Sequence, residues 1–310
     1  VECMHIICNP KSGMGKGRKR LNEVTSYLES WGTDYQIYLT QYPGHMGELL
    51  VSCLSQFKEE DRLILVGGDG SLHELVNLLA DRGLDLPLAF VSAGTGNDFS
   101  RYYQADKESI EDLLAPMFKG QVRRLKIGRV GPTLDKAGGV FVNSLGFGFD
   151  GQVIHESETL KAKGGFWQVP GANQVRYLVS LFRSLRRVPK FALDVKLGDH
   201  SQHFSDVSLV AVMLNPYFGG GIQLDPRIAE LEDDLALVVI HDLDWQAIPG
   251  LLYQILWRKG QGDSKHLAFY RGPSCNLSLT PAIPGQVDGE AIFSPARSFS
   301  CRLGQQAFYL

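Results

Sequence analysis

Three short stretches in the first hundred residues set small and polar side chains where a phosphate could be handled. They are Asn9-Pro10-Lys11-Ser12-Gly13-Met14-Gly15-Lys16-Gly17, Gly67-Gly68-Asp69-Gly70-Ser71 and Gly94-Thr95-Gly96-Asn97-Asp98. Glycine has no Cβ, so its N–H can approach a phosphate oxygen closely. A helix starting just beyond adds its positive end. One such turn alone is as readily a tight bend; three, each after an apolar run, are harder to assign to chance. None has the GxxxxGK[ST] spacing, which excludes a P-loop kinase. Ser71 and Glu74 have the S-x-x-E spacing of a capping box, which predicts a helix start there.

Two further motifs lie downstream. Gly146-Phe147-Gly148-Phe149-Asp150-Gly151 satisfies GxGxxG. A dinucleotide site would also need a helix at once, a second parallel strand and an acidic residue about 20 positions on. The following stretch is polar and then basic, so no such unit is expected. Val287-Asp288-Gly289-Glu290 places an Asp-Gly pair between Val287 and Glu290. Taken singly, Asp288 reads as a hairpin tip.

The elements that must carry these turns alternate strand and helix. Met4–Cys8 reads as a buried strand, and Tyr35–Leu39, Leu63–Val66 and Leu88–Val91 read as the strands that follow. Between them, Leu21, Val24, Leu28 and Trp31, then Met46, Leu49, Leu50, Cys53, Leu54 and Phe57, then Leu72, Leu75, Val76 and Leu79 recur at helical spacing. That order predicts an α/β domain with a parallel, Rossmann-like sheet covered by helices over residues 1–124. In such sheets ligands sit outside the carboxyl ends of the strands. From about Arg124 the runs shorten. Gly139–Asn143, Phe191–Leu197, Val207–Leu214, Leu235–His241 and Cys275–Leu279 predict a mostly antiparallel, β-rich domain over 125–297. Asn173–Leu185 and Trp245–Trp257 are its two helical interruptions.

Composition limits the function classes. Of 310 residues, 44% are hydrophobic and 21% charged, the profile of a soluble globular chain. The net charge of −3 gives no basic excess for nucleic acid. Glycine is enriched at 34 residues, against a typical ~7%. Cys3, Cys8, Cys53, Cys275 and Cys301 form no CxxC pair and leave one odd, which predicts reduced thiols and a cytoplasmic setting. No run of 18 apolar residues predicts a membrane span, and no signal peptide is expected.

Together the ordered blocks resemble the diacylglycerol kinase catalytic domain. Asn9–Gly13, Gly67–Ser71 with Glu74, and Gly94–Phe99 match its glycine-rich blocks, and the Asn-Asp-Phe ending favours lipid kinases over the more distant NAD kinases. Asn143–Asp150, Ala229–Leu235 and Val287–Glu290 resemble its later blocks. The resemblance implies a bacterial soluble lipid kinase with a nucleotide-binding α/β domain, a β-sandwich domain, an active site in the cleft and residues 298–310 returning to the first domain. It implies ATP and Mg²⁺ as cofactors and a lipid hydroxyl as acceptor. Asp288 would be the general base, with Asp69, Asp98 and Glu290 around the catalytic metal. Asn9, Ser12, Thr40, Gly68, Gly70, Ser71, Glu74 and Thr95 would line the nucleotide. A structural Mg²⁺ site would use the Asp233 carboxylate and the carbonyls of Glu230 and Leu235. The implied location is the inner membrane face, and a homodimer is an expected assembly.

Three positions depart from the family pattern. Ser71 stands where many relatives have Thr. Lys126 stands where they often have Asp, and Asp234 where Gly usually follows the metal Asp. A kinase of a soluble metabolite such as NAD, or a non-catalytic nucleotide-binding regulator, therefore stays open beside the lipid kinase. The basic, aromatic stretch Lys161–Lys190 is a candidate membrane-facing element or a solvated helix. His200 and His203 are expected in a solvated turn rather than a metal site.

Overall fold

The computed structural model describes residues 2–107, 109–131, 139–164, 180, 184, 188–198, 200–244, 246–260, 262, 264–292 and 298–310. The chain forms two compact units, Val1–Lys126 with Gln305–Leu310, and Ile127–Gly304.

The first unit is built on β1 (Cys3–Cys8), β2 (Asp34–Leu39), β3 (Arg62–Gly67) and β4 (Leu88–Ser92). All adjacent pairs are parallel: β2 with β1, β1 with β3, and β3 with β4. The end of β17 (Ser298–Tyr309) adds a fifth parallel strand, Phe308 opposite Leu88. β1, β3 and β4 read as nearly unbroken apolar runs because both their faces are covered. The helices are α1 (Ser12–Ser30), α2 (Met46–Leu54), α3 (Asp69–Asp81), α4 (Asp98–Tyr103) and α5 (Ile110–Phe118). Leu21, Val24 and Leu28 of α1 and Leu113, Leu114 and Met117 of α5 pack on Met4, Ile6, Ile64 and Val91. The stripe Leu21, Val24 and Leu28 is thus a face that covers the sheet, whereas Trp31, read as its next member, lies just past α1 and is exposed. Chain order 4-3-1-2 makes β1 and β3 the switch point where successive connections leave in opposite directions.

The second unit is antiparallel. Its strands are β5 (Val122–Val130), which begins in the first unit, β6 (Gly139–Phe141), β7 (Ser144–Gly148), β8 (Phe191–Leu197), β9 (His200–Met213), β12 (Leu235–His241), β13 (Leu267–Gly272), β14 (Ser274–Thr280), β15 (Gly285–Val287) and β16 (Glu290–Ile292), with a short β10–β11 hairpin (Tyr217–Phe218, Ile222–Gln223). Their order runs β16-β15-β7-β9-β8-β14-β17, with β12 joining β9 to β13. Alternation along β9 and β12 fills two cores. Val210, Val212, Leu237 and Val239 face one; Leu209, Ala211, Val238 and Ile240 face the other. Helix α6 (Phe149–Ala162) follows β7, and α7 (Ala247–Leu256) packs Leu251 and Ile255 on the second core.

Several expectations change. A helix does follow the GxGxxG stretch at once, because Phe149, Val153 and Leu160 find apolar cover that a polar-looking sequence did not advertise. The dinucleotide requirement still fails, since β7 pairs antiparallel with both β9 and β15. Ser71–Glu74 is not a capping box: the cap of α3 is Gly68, and Ser71 lies inside the helix. The capping box of the first unit is Ser109–Asp112, at α5. His200 and His203 sit in β9 rather than a turn, His203 directly opposite Asp194 and 2.7 Å from its carboxylate. Apart from residues 180 and 184, the expected Asn173–Leu185 helix lies outside the described residues, as does most of Lys161–Lys190. All five cysteines are free. Burial pushes the Cys8 and Cys53 thiols up to about 12, which leaves both unreactive.

Candidate active site

The three glycine-rich turns meet at the carboxyl ends of β1, β3 and β4, all within the first unit. Backbone bonds tie them: Asn9 N–H donates to Val66 O (2.9 Å) and Ala93 N–H to Gly67 O (2.7 Å). Gly68 and Gly94 are nearly in contact. A Cβ on Gly94 would stand 2.9 Å from Gly68 Cα and 2.7 Å from Asn97 Oδ1, inside the limit for real atoms. The second and third turns can meet only because neither residue has a side chain. Gly13, Met14 and Gly15 take left-handed conformations, so the regular helix of α1 begins only after them. Such a stretch turns consecutive amides to one side, a shape suited to anions.

Side chains complete the lining. Asn9 Oδ1 accepts from Lys11 N–H (3.1 Å) and its Nδ2 donates to Ser71 Oγ (3.4 Å), locking the first turn to α3. Thr40 follows β2, its N–H on Cys8 O (2.9 Å). Ser12, Gly70 and Glu74 are half-buried and Thr95 is exposed at the turn after β4. Asp69 opens α3, and its carboxylate accepts the N–H groups of Asp98 (3.3 Å) and Phe99 (3.4 Å), so it also caps α4. Asp98 is buried beside it. The nine predicted residues from Asn9 to Thr95, Asp69 among them, and Asp98 therefore belong to turns or to the first two turns of helices at one end of one sheet.

Asn97 was not singled out by the sequence beyond its place in the third block. It takes a left-handed φ of 54°, and its buried Oδ1 has no hydrogen-bond partner among the described residues. An orphaned oxygen beside two aspartates is the signal. Asp69, Asn97 and Asp98 offer an oxygen-only donor set, which fits Mg²⁺. Among the described residues no group of three or more His, Cys, Asp or Glu gathers to hold a metal. In the second unit, Glu230 ends a 3-10 turn, Asp233 is exposed on a bend and Leu235 opens β12. These three stay within six residues of one another along the chain, and a single carboxylate is the only charge they offer if the other two act through carbonyls.

Asp288 is the first residue of the two-residue turn joining β15 to β16. It and Gly289 have φ of 48° and 86°, the conformation an Asp-Gly hairpin turn requires. It is also buried, with Oδ1 accepting from Asn143 N–H (2.7 Å) and Ser144 N–H (3.0 Å) and Oδ2 from Val142 N–H (2.8 Å). Both meanings of the sequence pair hold: a hairpin tip whose carboxylate organises the segment 142–144. Asn143 in turn receives the Asn215 amide on its Oδ1 (2.9 Å). Glu290, two residues on, is exposed.

The GxGxxG turn has a packing role. Cβ atoms on Gly146, Gly148 and Gly151 would strike Asp150 Oδ2 (2.7 Å), Ser208 O (2.5 Å) and Pro284 O (2.4 Å). Asp150, held there, borders an apolar cavity of about 130 Å³ under α7. Phe149, Leu209, Phe218, Leu224, Ile240 and Leu251 are among its walls. Burial pushes the Asp150 carboxyl up to about 7, with a hydrogen bond from Gln286 pulling partly back. Its Oδ2 and the nearby Ser208 Oγ, also in the wall, lack hydrogen-bond partners among the described residues. Neither the cavity nor Asp150 was foreseen as part of a site.

Among the described residues, no helix is long and apolar enough to cross a membrane. The family model for the diacylglycerol kinase catalytic domain matches residues 3–130. A protein of Bacillus subtilis (strain 168) named "Putative lipid kinase YtlR" is 29% identical over 92% of both chains. A "Diacylglycerol kinase" of Staphylococcus saprophyticus is 26% identical over 92% of this chain and 88% of its own. A solved structure titled "A putative diacylglycerol kinase from Bacillus anthracis str. Sterne" has the same fold, with a TM-score of 0.74 over 99% of this chain and 96% of that one, at 22% identity.

Proposed function

We propose that this chain, a member of the diacylglycerol kinase catalytic-domain family, transfers the γ-phosphate of ATP to the hydroxyl of a diacylglycerol-like lipid. The observation that carries this is the meeting of three glycine-rich turns at the β1/β3 switch point, with Gly68 against Gly94 and the Asn97 oxygen left over. Phosphoryl transfer asks a protein mainly to align the two oxygens and neutralise charge. The backbone amides of residues 12–15 and 68–70 would take the phosphates. Asp69, Asn97 and Asp98 would hold Mg²⁺, which when bound neutralises the phosphate oxygens. Mg²⁺ at Asp233, with the Glu230 and Leu235 carbonyls, belongs to the same proposal as a structural site.

The acceptor half rests on the second unit. A chamber walled by Phe149, Leu209, Phe218 and Ile240 suits one hydrocarbon chain and has little to offer a nicotinamide dinucleotide. The enzyme would then work peripherally, at the inner face of a membrane.

Asp288 is proposed as the general base, and its three backbone bonds favour a second role as the organiser of residues 142–144. Asp288→Asn separates them. Loss of a base lowers turnover about 10²–10⁴-fold with nucleotide affinity and melting temperature kept. Loss of the organiser lowers the melting temperature as well, because an amide cannot accept from all three N–H groups. Radiolabelled ATP with lipids in mixed micelles, beside a thermal melt, reads both. Phosphorylation of NAD and of no lipid would reject the proposal.

A further inference from the structure

A helix at the surface of a globular protein ordinarily turns charged side chains outward. α7 does not: from Gln246 to Trp257 no residue is charged. Its inner face, Ile248, Leu251, Leu252 and Ile255, lines the apolar cavity. Its outer face falls on Gln246, Pro249, Gly250, Tyr253 and Trp257, all of them exposed. Tyr253 is 58% and Trp257 72% exposed, and their rings stack at 6.1 Å and 16°. Two large rings left in water forgo the burial that usually places them inside. Exposed Arg258 and Lys259 follow at once. Exposed Asp242 and Asp244 stand at the opposite end, where the Asp244 carboxylate accepts the Ala247 N–H (2.8 Å).

The order along this axis is acidic end, uncharged helix, aromatic pair, cationic end. We infer that α7 binds an anionic lipid surface through its carboxyl-terminal half. Tyr253 and Trp257 enter at headgroup depth, where rings with one polar tip are at home. Arg258 and Lys259 meet the headgroup phosphates, and the Asp242–Asp244 end stays in water. The same helix roofs the cavity, so a hydrocarbon chain leaving the surface has one element to pass. That last step rests on the lipid-kinase proposal; the binding of the surface does not.

Vesicle sedimentation without nucleotide tests it. The chain should partition onto phosphatidylglycerol–phosphatidylcholine vesicles. Tyr253→Ala with Trp257→Ala should lose about tenfold or more of that partition. Trp257→Phe should keep it, which shows that the site and not the fold was damaged. Arg258→Gln with Lys259→Gln should lose about tenfold or more on the anionic vesicles, at about fivefold per charge, and little on phosphatidylcholine alone. Turnover on a short-chain lipid alcohol in monomeric solution should be unchanged by the aromatic pair. The inference is overturned by a wild-type chain that stays off both vesicles, or by aromatic variants that bind as well as wild type. It is equally overturned if those variants change the mass seen by light scattering and leave vesicle binding alone, because the rings then cover a second copy. If no lipid is ever phosphorylated, the vesicle result stands by itself.

Discussion

Glycine-rich turns follow strands in both units, and they do opposite things. In the first unit they leave parallel strands at their carboxyl ends, and Gly68 and Gly94 approach until backbone meets backbone, with Asn97 Oδ1 unclaimed beside them. In the second, Gly146-x-Gly148-x-x-Gly151 leaves a strand paired antiparallel on both sides, and every missing Cβ is replaced by a neighbouring oxygen. One set leaves backbone and an oxygen uncovered at a sheet end; the other is filled by its neighbours. Strand direction decides which, because parallel strands gather their turns at one end while antiparallel neighbours carry the chain away.

Four substitutions probe that contrast. The largest effect is expected at Asp69, which joins α3 to α4 and belongs to the proposed metal set. Asp69→Asn should lower kcat by three orders of magnitude or more, about 4 kcal/mol at the transition state, with the circular dichroism spectrum kept. A variant within tenfold of wild type would remove Asp69 from the site. Next comes Gly148→Ala, at a φ of 92° with Ser208 O where the methyl must go. It should cost about 3 kcal/mol or more in chemical denaturation, and leave nucleotide affinity of the folded fraction unchanged. Equal stability would mean that the second turn is not packed as described.

Two buried aspartates extend the contrast to charge. Asp150 lies against apolar walls and keeps its proton to about 7. The folded state then holds a proton that the unfolded chain releases above 3.8, so stability is full at low pH and falls as pH rises from about 4 to 7. Asp150→Asn should flatten that fall and gain about 2 kcal/mol at pH 8, with a ceiling near 4. Denaturation midpoints at pH 5 and pH 8 that move in parallel for both proteins would contradict it. Asp61 is buried too, and burial alone would raise it. The N–H groups of Lys58 and Cys3 and the ring of His5 outweigh burial and hold it below its usual value. Its contribution is present above pH ~4 and is lost as pH falls further. Asp61→Asn should cost about 1 kcal/mol at neutral pH and less in acid, the smallest change of the four. A loss that grows on acidification would reverse the sign assigned here.

The sequence carried the first unit plainly. Apolar runs ending in small polar turns read as covered strands, and β1, β3 and β4 lie within one residue of where the patterns put them; β2 does too, but as a largely exposed edge strand. The site turns were legible for the same reason: their composition is specialised. What stayed hidden depended on partners far along the chain. Asp288 looked like a turn residue, and nothing local shows that residues 142–144, about 145 positions upstream, supply its donors. α6 was missed because its apolar positions are sparse and gain much of their cover from β15 and β16, over a hundred residues on. Ser71–Glu74 misled, since Gly68 already caps α3 and Ser71 is needed inside to meet Asn9. Asn97 and the cavity beside Asp150 have no sequence signature; one is an oxygen left over and the other is a space.

The path of β17 has a consequence for how the first unit comes into being. Its fifth strand and one of its core rings, Tyr309, lie some 180 positions after the rest of that unit. During synthesis β4 waits with an unpaired edge while all of the second unit emerges. The nascent first unit is therefore exposed to edge-to-edge association until the closing strand arrives. A label or deletion at residues 305–310 would be felt in the half of the molecule made first.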